Sequence, residues 1–306
     1  MLDLRRLRVL GEVARRGGFS AAASELHVSQ SAVSQQIAAL EREVGMSLLV
    51  RDRGGARPTD AGTVLLGHAD AAIARLEEAE RELAALAGLE AGELRMASFP
   101  TASASIVTTA APLFRERHPA VRLRLSEGEP DESLPALKRG DHDLAVAYDF
   151  ELNPFEPDRD LELTPLLTER MHAGLPRGHA LASRRALRLE ELAVEPWLCG
   201  TTNGSCRELT LRSCRLAGFE PRVAFESNDY NVMQSMIAAG MGVTLLPDLA
   251  LEARHPGIEV VEIAPVAPVR RVWAVTRAGG SRSAAAEAML GTLAEAAGRS
   301  GAGPRR

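Results

Sequence analysis

The sequence has 306 residues and a net charge of −5, and its length predicts two or three compact units rather than one. Hydrophobic residues make up 45% of the chain, yet no apolar run reaches the roughly eighteen residues that a membrane crossing needs. Charged residues also interrupt the N-terminus as far as Arg16, so we expect a cytoplasmic protein with no secretory signal and no membrane partner.

Charge is unevenly distributed along the chain. Residues 1–60 contain nine arginines and seven acidic residues, which leaves a net charge of −7 for the remainder. A mildly basic end on an acidic body is typical of a protein that contacts phosphate at one end only. The three cysteines and seven histidines lack metal-type spacing. Since no phosphate loop, nucleophile elbow or paired-acid motif occurs either, we predict no metal, no cofactor and no enzymatic activity.

The N-terminal residues predict two helices separated by a tight turn. The first helix runs from Leu4 to Arg16, with apolar residues at helical spacing, and a pair of glycines ends it. Ser20 then offers an N-cap to a short helix over residues 21–27. The alanines of this second helix allow another helix to approach closely, as a helix-turn-helix requires.

A third helix is predicted from Gln30 to Val44, with Ser29 as its N-cap. Its apolar residues form one stripe at steps of four and three: Val33, Ile37, Leu40 and Val44. The opposite face carries short, uncharged and mostly polar side chains, which are Ser31, Ser34, Gln35 and Ala38. Glutamine can pair with adenine and serine can reach base edges or phosphate, so this face is typical of a helix that reads the major groove. An ordinary solvated face would carry Glu, Lys or Arg instead.

A basic hairpin follows this reading helix. Residues 48–50 predict a strand, and residues 51–57 predict a turn rich in glycine and arginine. Such a wing places guanidinium groups against phosphates or in the minor groove. The glutamines and serines would then discriminate bases while the arginines supply phosphate affinity. The predicted DNA contacts are Ser20, Ser29, Gln30, Ser31, Ser34, Gln35, Arg51, Arg53, Arg57 and Thr59.

A family resemblance is carried by the segment 19–37, whose sequence is FSAAASELHVSQSAVSQQI. It resembles the signature segment of LysR-type transcriptional regulators. The continuation is similar too, with Leu40-Glu41, Gly45, Leu48, Arg51 and Thr59-Asp60-Ala61-Gly62. One departure is Ser31, where the family very often has proline. Because proline pre-sets the start of a helix, its replacement is expected to loosen that end slightly.

The resemblance implies an architecture for the whole chain. It predicts a bacterial regulator with an all-α winged helix-turn-helix over residues 1–58, a linker helix for dimerisation over 59–88 and an α/β effector domain over 92–300. The effector domain would be similar to periplasmic binding proteins, with one α/β subdomain over 92–167 and 265–300 and the other over 168–264. The implied partners are double-stranded promoter or operator DNA, a small-molecule effector, RNA polymerase, and copies of the chain in a homodimer or homotetramer.

The linker residues themselves favour dimerisation. Thr59 can cap a helix that runs to about Ala87. Its apolar residues recur at alternating steps of four and three: Leu65, Ala69, Ala72, Leu76, Ala79, Leu83 and Leu86. This heptad seam predicts pairing with another helix, because a lone helix of this length could not bury the stripe. The alternative is a stripe that packs on its own domain.

Beyond residue 92, brief apolar strands alternate with helices, which predicts α/β units with mostly parallel sheets. Strands are expected at 94–98, 121–125, 144–148, 171–175, 243–246, 258–263 and 269–275, and helices near 103–117, 131–139, 205–217, 230–239 and 283–297. Ligands of such sheets bind where strands end and helices begin. The predicted effector contacts are therefore Ser98, Pro100, Thr101, Ser103, Glu127, Asp149, Thr201, Thr202, Asn203, Asn228 and Thr244.

Two hydroxyl-rich helix starts, at 98–103 and 201–205, are expected to face each other. Together they would stabilise an anion such as a carboxylate without requiring a lysine or arginine. Each hydroxyl taken alone is more often a simple helix cap. The sequence therefore favours a small polar, carboxylate-bearing effector.

Two other functions stay open at this point. A thiol-redox sensor of the same family would use Cys206, where peroxide-sensing members carry their reactive cysteine, with Cys214 as the resolving thiol. The visible activation of Cys206 is limited to its neighbour Arg207. A solute-binding protein would share the effector fold, but it needs an export signal and would leave residues 1–65 without purpose. Asp141-His142-Asp143 resembles a metal cluster, although its place before an apolar strand favours a turn.

Overall fold

A computed structural model of the chain describes residues 2–52, 55–86, 92–156, 158–201, 204–279 and 282–299. The chain divides into two units, one formed by Met1–Glu90 with Lys138–Asp141 and the other by Ala91–Leu137 with His142–Arg306. Within the described residues, no helix is both long enough and apolar enough to cross a membrane.

The first unit is a helical bundle with a two-stranded wing. Its elements are α1 Leu4–Arg16, α2 Phe19–Glu25, α3 Gln30–Val44, β1 Leu49–Asp52, β2 Gly55–Pro58 and α4 Asp60–Leu86. Gly17 ends α1 in the left-handed region, with φ 69°. The predicted serine cap of α2 is wrong: Gly18 is its N-cap, and the Ser20 hydroxyl donates instead to the Gln30 side chain at 3.3 Å.

The core of this unit consists of the apolar stripes predicted for α1 and α3. Val33, Ile37 and Leu40 are buried against α1 residues and against the small side chains of α2. The linker helix begins where Thr59 accepts a hydrogen bond from the Gly62 backbone N–H at 3.0 Å, as the capping prediction requires. A Cβ atom at Gly62 would lie 2.1 Å from the Leu48 carbonyl oxygen, so only glycine lets α4 approach the residue before β1 this closely.

The second unit is an α/β domain. Its strands are β3 Glu93–Ser98, β4 Arg122–Glu127, β5 Leu144–Phe150, β6 Leu161–Pro176, β7 Ala186–Leu187, β8 Pro196–Cys199, β9 Arg222–Glu226, β10 Thr244–Pro247, β11 Ile258–Ile263 and β12 Val269–Arg277. Its helices are α5 Pro100–Ala102, a π-helical stretch Ser103–Val107, α6 Thr108–Arg117, α7 Pro130–Lys138, α8 Ser205–Leu216, α9 Tyr230–Ala238 and α10 Ala284–Arg299, with 3-10 turns at Leu189–Leu192 and Asp248–Leu251.

The main sheet has the strand order β4-β3-β5-β12-β6-β11-β7, and β10 also pairs with β6. Strand β6 pairs with β12 as far as Arg170 and with β10 and β11 from Met171 onward. We call the part built on β3, β4, β5, β12 and the start of β6 subdomain I, and the part built on β7 to β11 and the end of β6 subdomain II. One continuous core of buried residues runs through both.

The expectation of mostly parallel sheets is wrong. Strands β3, β4 and β5 are parallel, as are the pairs β8–β9 and β7–β11. However, β12 is antiparallel to both of its neighbours, and β6 is antiparallel to β10 and β11. The cause is that β6 and β12 are the long strands that join the two subdomains, and they run in opposite directions.

Candidate functional site

The exposed face of α3 carries the polar residues predicted to read DNA. Gln30, Ser31 and Gln35 are exposed and Ser34 is half-buried, while the apolar stripe on the other side of the helix is buried. Ser29 caps the helix as predicted, because its hydroxyl accepts a hydrogen bond from the Ala32 backbone N–H at 3.2 Å. Because the apolar side of α3 is buried in the core, its polar side must face outward.

The hydroxyls at the start of α3 form a local network. The Ser29 and Ser31 hydroxyl oxygens lie 2.9 Å apart, and the Ser20 hydroxyl reaches the Gln30 side-chain oxygen. The hydroxyl of Thr59 donates to the Ser47 carbonyl oxygen at 2.8 Å. Ser29 and Thr59 therefore stabilise the starts of α3 and α4.

The predicted wing is an antiparallel pair in which Leu49 lies opposite Pro58 and Asp52 opposite Gly55. Arg57 on β2 is exposed. Arg53 lies outside the described residues, as does the Arg51 side chain. The arrangement offers the uncharged reading face on α3 and a basic wing from the same small core, which is the geometry of a winged helix on duplex DNA.

The second candidate site is the cleft between the subdomains, where the ends of β3 and β5 meet the start of α8. Neither helix start is capped by a side chain: Phe99 precedes α5 and Gly204 precedes α8 without such a bond. The hydroxyls of Ser98 and Ser103 bond each other. Because the first N–H groups of a helix carry partial positive charge, both helix starts favour an anion.

A buried ion pair forms the floor of the cleft. Arg270 on β12 lies opposite Glu169 on β6, and Arg270 Nε donates to Glu169 Oε1 at 2.6 Å. Both side chains are at most 1% exposed. Burial raises the pKa of Glu169, and the guanidinium charge together with the Leu249 backbone N–H offsets the rise in part. The guanidinium also donates to Thr101 Oγ1 at 3.1 Å.

The cleft contains an arginine that the sequence analysis did not include among the candidate residues. The guanidinium carbon of Arg270 lies 5.1 Å from the Phe99 ring centre and 5.0 Å from that of Tyr148. These two rings pack edge to face at 4.7 Å. Two aromatic rings and one carboxylate thus hold the cation beside Thr101.

Tyr148 connects the two sides of the cleft. Its hydroxyl donates to Glu129 Oε2 at 2.7 Å and lies 3.1 Å from the Cys206 sulfur. The Tyr230 hydroxyl lies 3.6 Å from the same sulfur. Burial raises the pKa of Cys206, and the tyrosine hydrogen bonds and the Arg270 charge oppose the rise. Burial likewise raises the pKa of Glu129.

A cavity of about 60 Å³ opens beside Thr101, lined by the first residues of α5 and α9 and by residues 249–253. Thr101 of subdomain I and Tyr230 of subdomain II both line it. This volume is well below that of an engineered cavity of about 150 Å³ that holds benzene. An organic acid would need the subdomains to separate at this point.

The remaining predicted contacts are placed differently. Thr201 is exposed and its backbone N–H donates to Asn228 Oδ1 at 2.9 Å, so these two residues lie together at the start of α8. Thr244 is buried and its hydroxyl donates to the Leu198 carbonyl oxygen at 2.6 Å. Glu127 is exposed at the edge strand β4. Thr202 and Asn203 lie outside the described residues.

Asp149 lies on the other face of the sheet from Tyr148, since side chains alternate along a strand. Its carboxylate accepts hydrogen bonds from Arg271 Nε at 2.8 Å, Trp273 Nε1 at 3.0 Å and the Phe155 backbone N–H at 2.8 Å. These bonds tie β5, β12 and the following loop together, and they leave Asp149 away from the cleft.

Sequence reasoning missed Arg270, Glu169, Glu129 and Tyr230 as residues of the cleft. The Arg270 and Glu169 partners are 101 residues apart, so no local pattern links them. Both strands carry other charged and polar residues, so the sequence alone did not mark these two as the buried pair.

The chain is similar to known proteins over nearly its whole length. A family model described as LysR substrate binding domain matches residues 87–298, and one described as bacterial regulatory helix-turn-helix protein, lysR family, matches residues 4–63. A probable HTH-type transcriptional regulator LrrA of Synechococcus elongatus is 33% identical and is covered over 89% of each chain. A probable hydrogen peroxide-inducible genes activator of Mycobacterium leprae is 31% identical, over 91% of this chain and 89% of the relative.

Among solved structures, a full-length OxyR variant from Pseudomonas aeruginosa has a TM-score of 0.68 at 25% identity, over 96% of this chain and 98% of that one. The family consists of transcriptional regulators, which are not enzymes. One family model covers more than half of the chain and the other covers its reading helix and wing. The chain therefore belongs to the LysR family, and it is a bacterial DNA-binding transcriptional regulator with an effector-binding domain.

Proposed function

We propose that the effector of this regulator is a small carboxylate-bearing molecule that binds in the cleft between α5 and α8. The observation that carries the proposal is the buried Arg270 guanidinium beside Thr101, between two helix starts that no side chain caps. A carboxylate could accept from the Thr101 hydroxyl, from helix N–H groups and from the guanidinium. Ser98, Ser103, Thr201 and Asn228 would contribute at the rim.

The contact between Tyr148 and Cys206 joins the two sides of this cleft, so a ligand that enters between α5 and α8 would lengthen it. The two subdomains would then rotate about the long strands β6 and β12. The ligand can favour this arrangement only if it binds the open state more tightly. Its affinity should therefore differ on and off DNA.

Thermal-shift screening with organic acids and amino acids tests the proposal. Thr101→Val removes the hydroxyl at almost constant volume, so the stabilisation by an active ligand should disappear while basal operator binding persists. Thr292→Val is the matched control, since this buried threonine on α10 donates only to the Ala288 carbonyl oxygen among the bonds described. A ligand that stabilises wild type and Thr101→Val equally would refute the proposed site.

A thiol-redox sensor is the second candidate, because the hydrogen peroxide-inducible genes activator is a relative and Cys206 lies in the cleft. Two features weigh against it. The pKa of Cys206 is raised by burial, although reactive thiols have lowered values. Cys214 follows eight residues later on the same helix, about 12 Å away along its axis, so a disulfide would require α8 to unwind. Thiol titration before and after peroxide treatment separates the two functions.

The DNA contacts are proposed to be Gln30, Ser31, Ser34 and Gln35 on the reading face, with the wing arginines, Ser20, Ser29 and Thr59 at phosphates. Duplex operator DNA is bound by two reading heads at fixed spacing, so we infer a homodimer, and a homotetramer of two such dimers. We infer that the protein acts in the bacterial cytoplasm, because the genome is there. RNA polymerase, which is also there, would be its partner at promoters.

A further inference from the structure

A cavity of about 270 Å³ lies on the chain segment 263–269, which connects β11 to β12. The two residues after β5, the C-terminal half of α8 and the 3-10 turn at Leu189–Leu192 complete its lining. We propose that this cavity is a second ligand site, distinct from the cleft at Thr101, and that it takes a small, mainly apolar molecule without negative charge.

The first argument is an unused hydroxyl. Ser213 on α8 is 4% exposed and lines the cavity, and its Oγ has no hydrogen-bond partner among the described residues. Helical hydroxyls usually donate to the carbonyl oxygen four residues earlier. Thr210 does so on the same helix, at 3.1 Å from the Cys206 carbonyl oxygen. The Ser213 oxygen has almost no surface open to water, so a ligand would reach it only after the side chain turns toward the cavity, and the new bond would then remove the cost of an unpaired buried hydroxyl.

The second argument is the apolar wall. Leu216 and Val266 line the cavity and are 75% and 81% exposed. Leu189 is buried at the same cavity. Apolar groups gathered at a concave surface favour an apolar occupant. An engineered cavity of about 150 Å³ holds benzene, so the larger volume here fits a two-ring molecule.

The charges at the cavity decide the class of ligand. Its lining includes the carboxylates of Glu151 and Glu190, and it includes no arginine, lysine or histidine among the described residues. Glu190 is bonded to Arg188. An anion would meet Glu151 and Glu190, whose nearby cations Arg271 and Arg188 do not line the cavity. A neutral or cationic ring compound therefore fits better than the carboxylate proposed for the cleft.

The cavity is lined from both subdomains. Leu152 and Val269 belong to subdomain I, whereas Ser213 and Ile263 belong to subdomain II. Next to it, the Arg212 guanidinium on α8 donates across to the Leu152 carbonyl oxygen at 2.8 Å. A molecule that fits only one angle between the subdomains would shift the equilibrium between their arrangements. Occupancy of this site is thus expected to modulate the response to the effector.

Three indoles of similar shape test both the site and its charge preference. Indole is neutral, tryptamine is a cation and indole-3-acetate is an anion at neutral pH. Ligand-observed NMR on the full-length protein should detect indole and tryptamine at millimolar concentration and indole-3-acetate much more weakly. Absence of all three, or tightest binding of the anion, would overturn the proposal.

Variants locate the binding. Ser213→Ala should weaken indole binding roughly two- to tenfold, which is the effect of one hydrogen bond. Ala217→Phe, which fills the cavity, should abolish it, with circular dichroism to check folding. Ser235→Ala on α9 is the control, since that serine donates to the Asn231 carbonyl oxygen away from this cavity. Indole binding that survives both cavity variants would disprove the site, as would loss of binding in Thr101→Val, which tests the cleft instead.

Discussion

The Tyr148 hydroxyl lies 3.1 Å from the Cys206 sulfur, and this contact joins the end of β5 in subdomain I to the first turn of α8 in subdomain II. Burial raises the pKa of Tyr148 well above its ordinary value, so the hydroxyl keeps its proton. It donates a hydrogen bond to Glu129, which lies just before α7, so this phenol links β5, the start of α7 and α8.

Replacing this phenol should loosen the cleft. Tyr148→Phe removes both bonds of the hydroxyl and leaves the half-buried Glu129 carboxyl without its donor, at an expected cost of about 1–3 kcal/mol. The backbone amides in the first turn of α8 should then exchange with deuterium faster, as measured by mass spectrometry of the peptide that contains Cys206. Tyr230→Phe is the control, because its contact with the sulfur is longer, at 3.6 Å. Equal rates in wild type and Tyr148→Phe would show that the contact does not close the cleft.

Glu129 should make stability depend on pH. Burial raises the pKa of this carboxyl in the folded state, so the folded protein binds the proton more tightly than the unfolded chain does. The stabilisation from the protonated form is complete below the unfolded pKa and is lost as the pH rises through the folded pKa. Glu129→Gln cannot ionise and can still accept the Tyr148 bond.

The difference in melting temperature between Glu129→Gln and wild type should therefore increase from acid to neutral pH in favour of the variant, and then level off. Thermal unfolding in buffers of constant ionic strength measures this difference. A constant difference across the range would mean that Glu129 titrates alike in both states.

Arg270 and Glu169 should behave as a coupled pair. Arg270→Met leaves a fully buried carboxylate without its cation, which costs about 3–5 kcal/mol in comparable sites. Adding Glu169→Leu removes that unpaired charge, so the double variant should recover much of the loss. Denaturant unfolding of wild type, both single variants and the double variant gives the coupling energy directly. Additive losses would contradict the pairing.

The parts of the fold that could be predicted from sequence rest on local patterns. The buried stripe of α3 and the left-handed Gly17 follow from spacing and backbone preference alone. Strand β6 was expected only at 171–175, although it begins at Leu161. Pro165 argues against a strand in the first half of β6, since proline is unusual inside a strand. The ladder with β12 is irregular at that point, between Val272 and Trp273, and such irregularities accommodate proline.

The candidate cleft could be predicted only in outline for a related reason. Thr101 was found because it follows a strand and opens a helix. Its partner Arg270 lies 169 residues away, and contact between the two depends on how β12 returns between β5 and β6. Asp149 lies near the end of β5, but the sequence does not show which face of the sheet borders the cleft, and Asp149 occupies the face opposite Tyr148.

The reading helix and the wing should contribute differently to DNA binding. Gln35 is exposed on α3, so Gln35→Ala should relax the preference at one base pair and cost about 1–3 kcal/mol on the preferred operator. Arg57→Ala on the wing should weaken binding to all DNA sequences alike. It should also reduce the slope of log affinity against log salt concentration by about one unit, which corresponds to one lost phosphate contact. Binding selection on random duplexes at two salt concentrations measures both effects. The division of roles fails if Arg57→Ala changes the preferred sequence while Gln35→Ala does not.

The linker helix provides the last prediction, because its seam divides into two parts. Ala69 is buried in the winged-helix core and Leu65 packs against it, so this end of the seam serves its own unit. Ala72, Leu76 and Ala79 remain exposed in the single chain, and Leu76 has 48% of its surface open. Leu83 and Leu86 lie where side chains are not described.

Leu76→Asp should therefore weaken dimerisation and operator binding together, since each half-site alone binds modestly. Val64→Asp is the matched control: Val64 is 64% exposed on the same helix and, twelve residues away, faces about 120° from Leu76. Analytical ultracentrifugation and operator titration should show both losses for Leu76→Asp and neither for Val64→Asp. A Leu76→Asp protein that stays dimeric would place the dimer contact on another face of the helix.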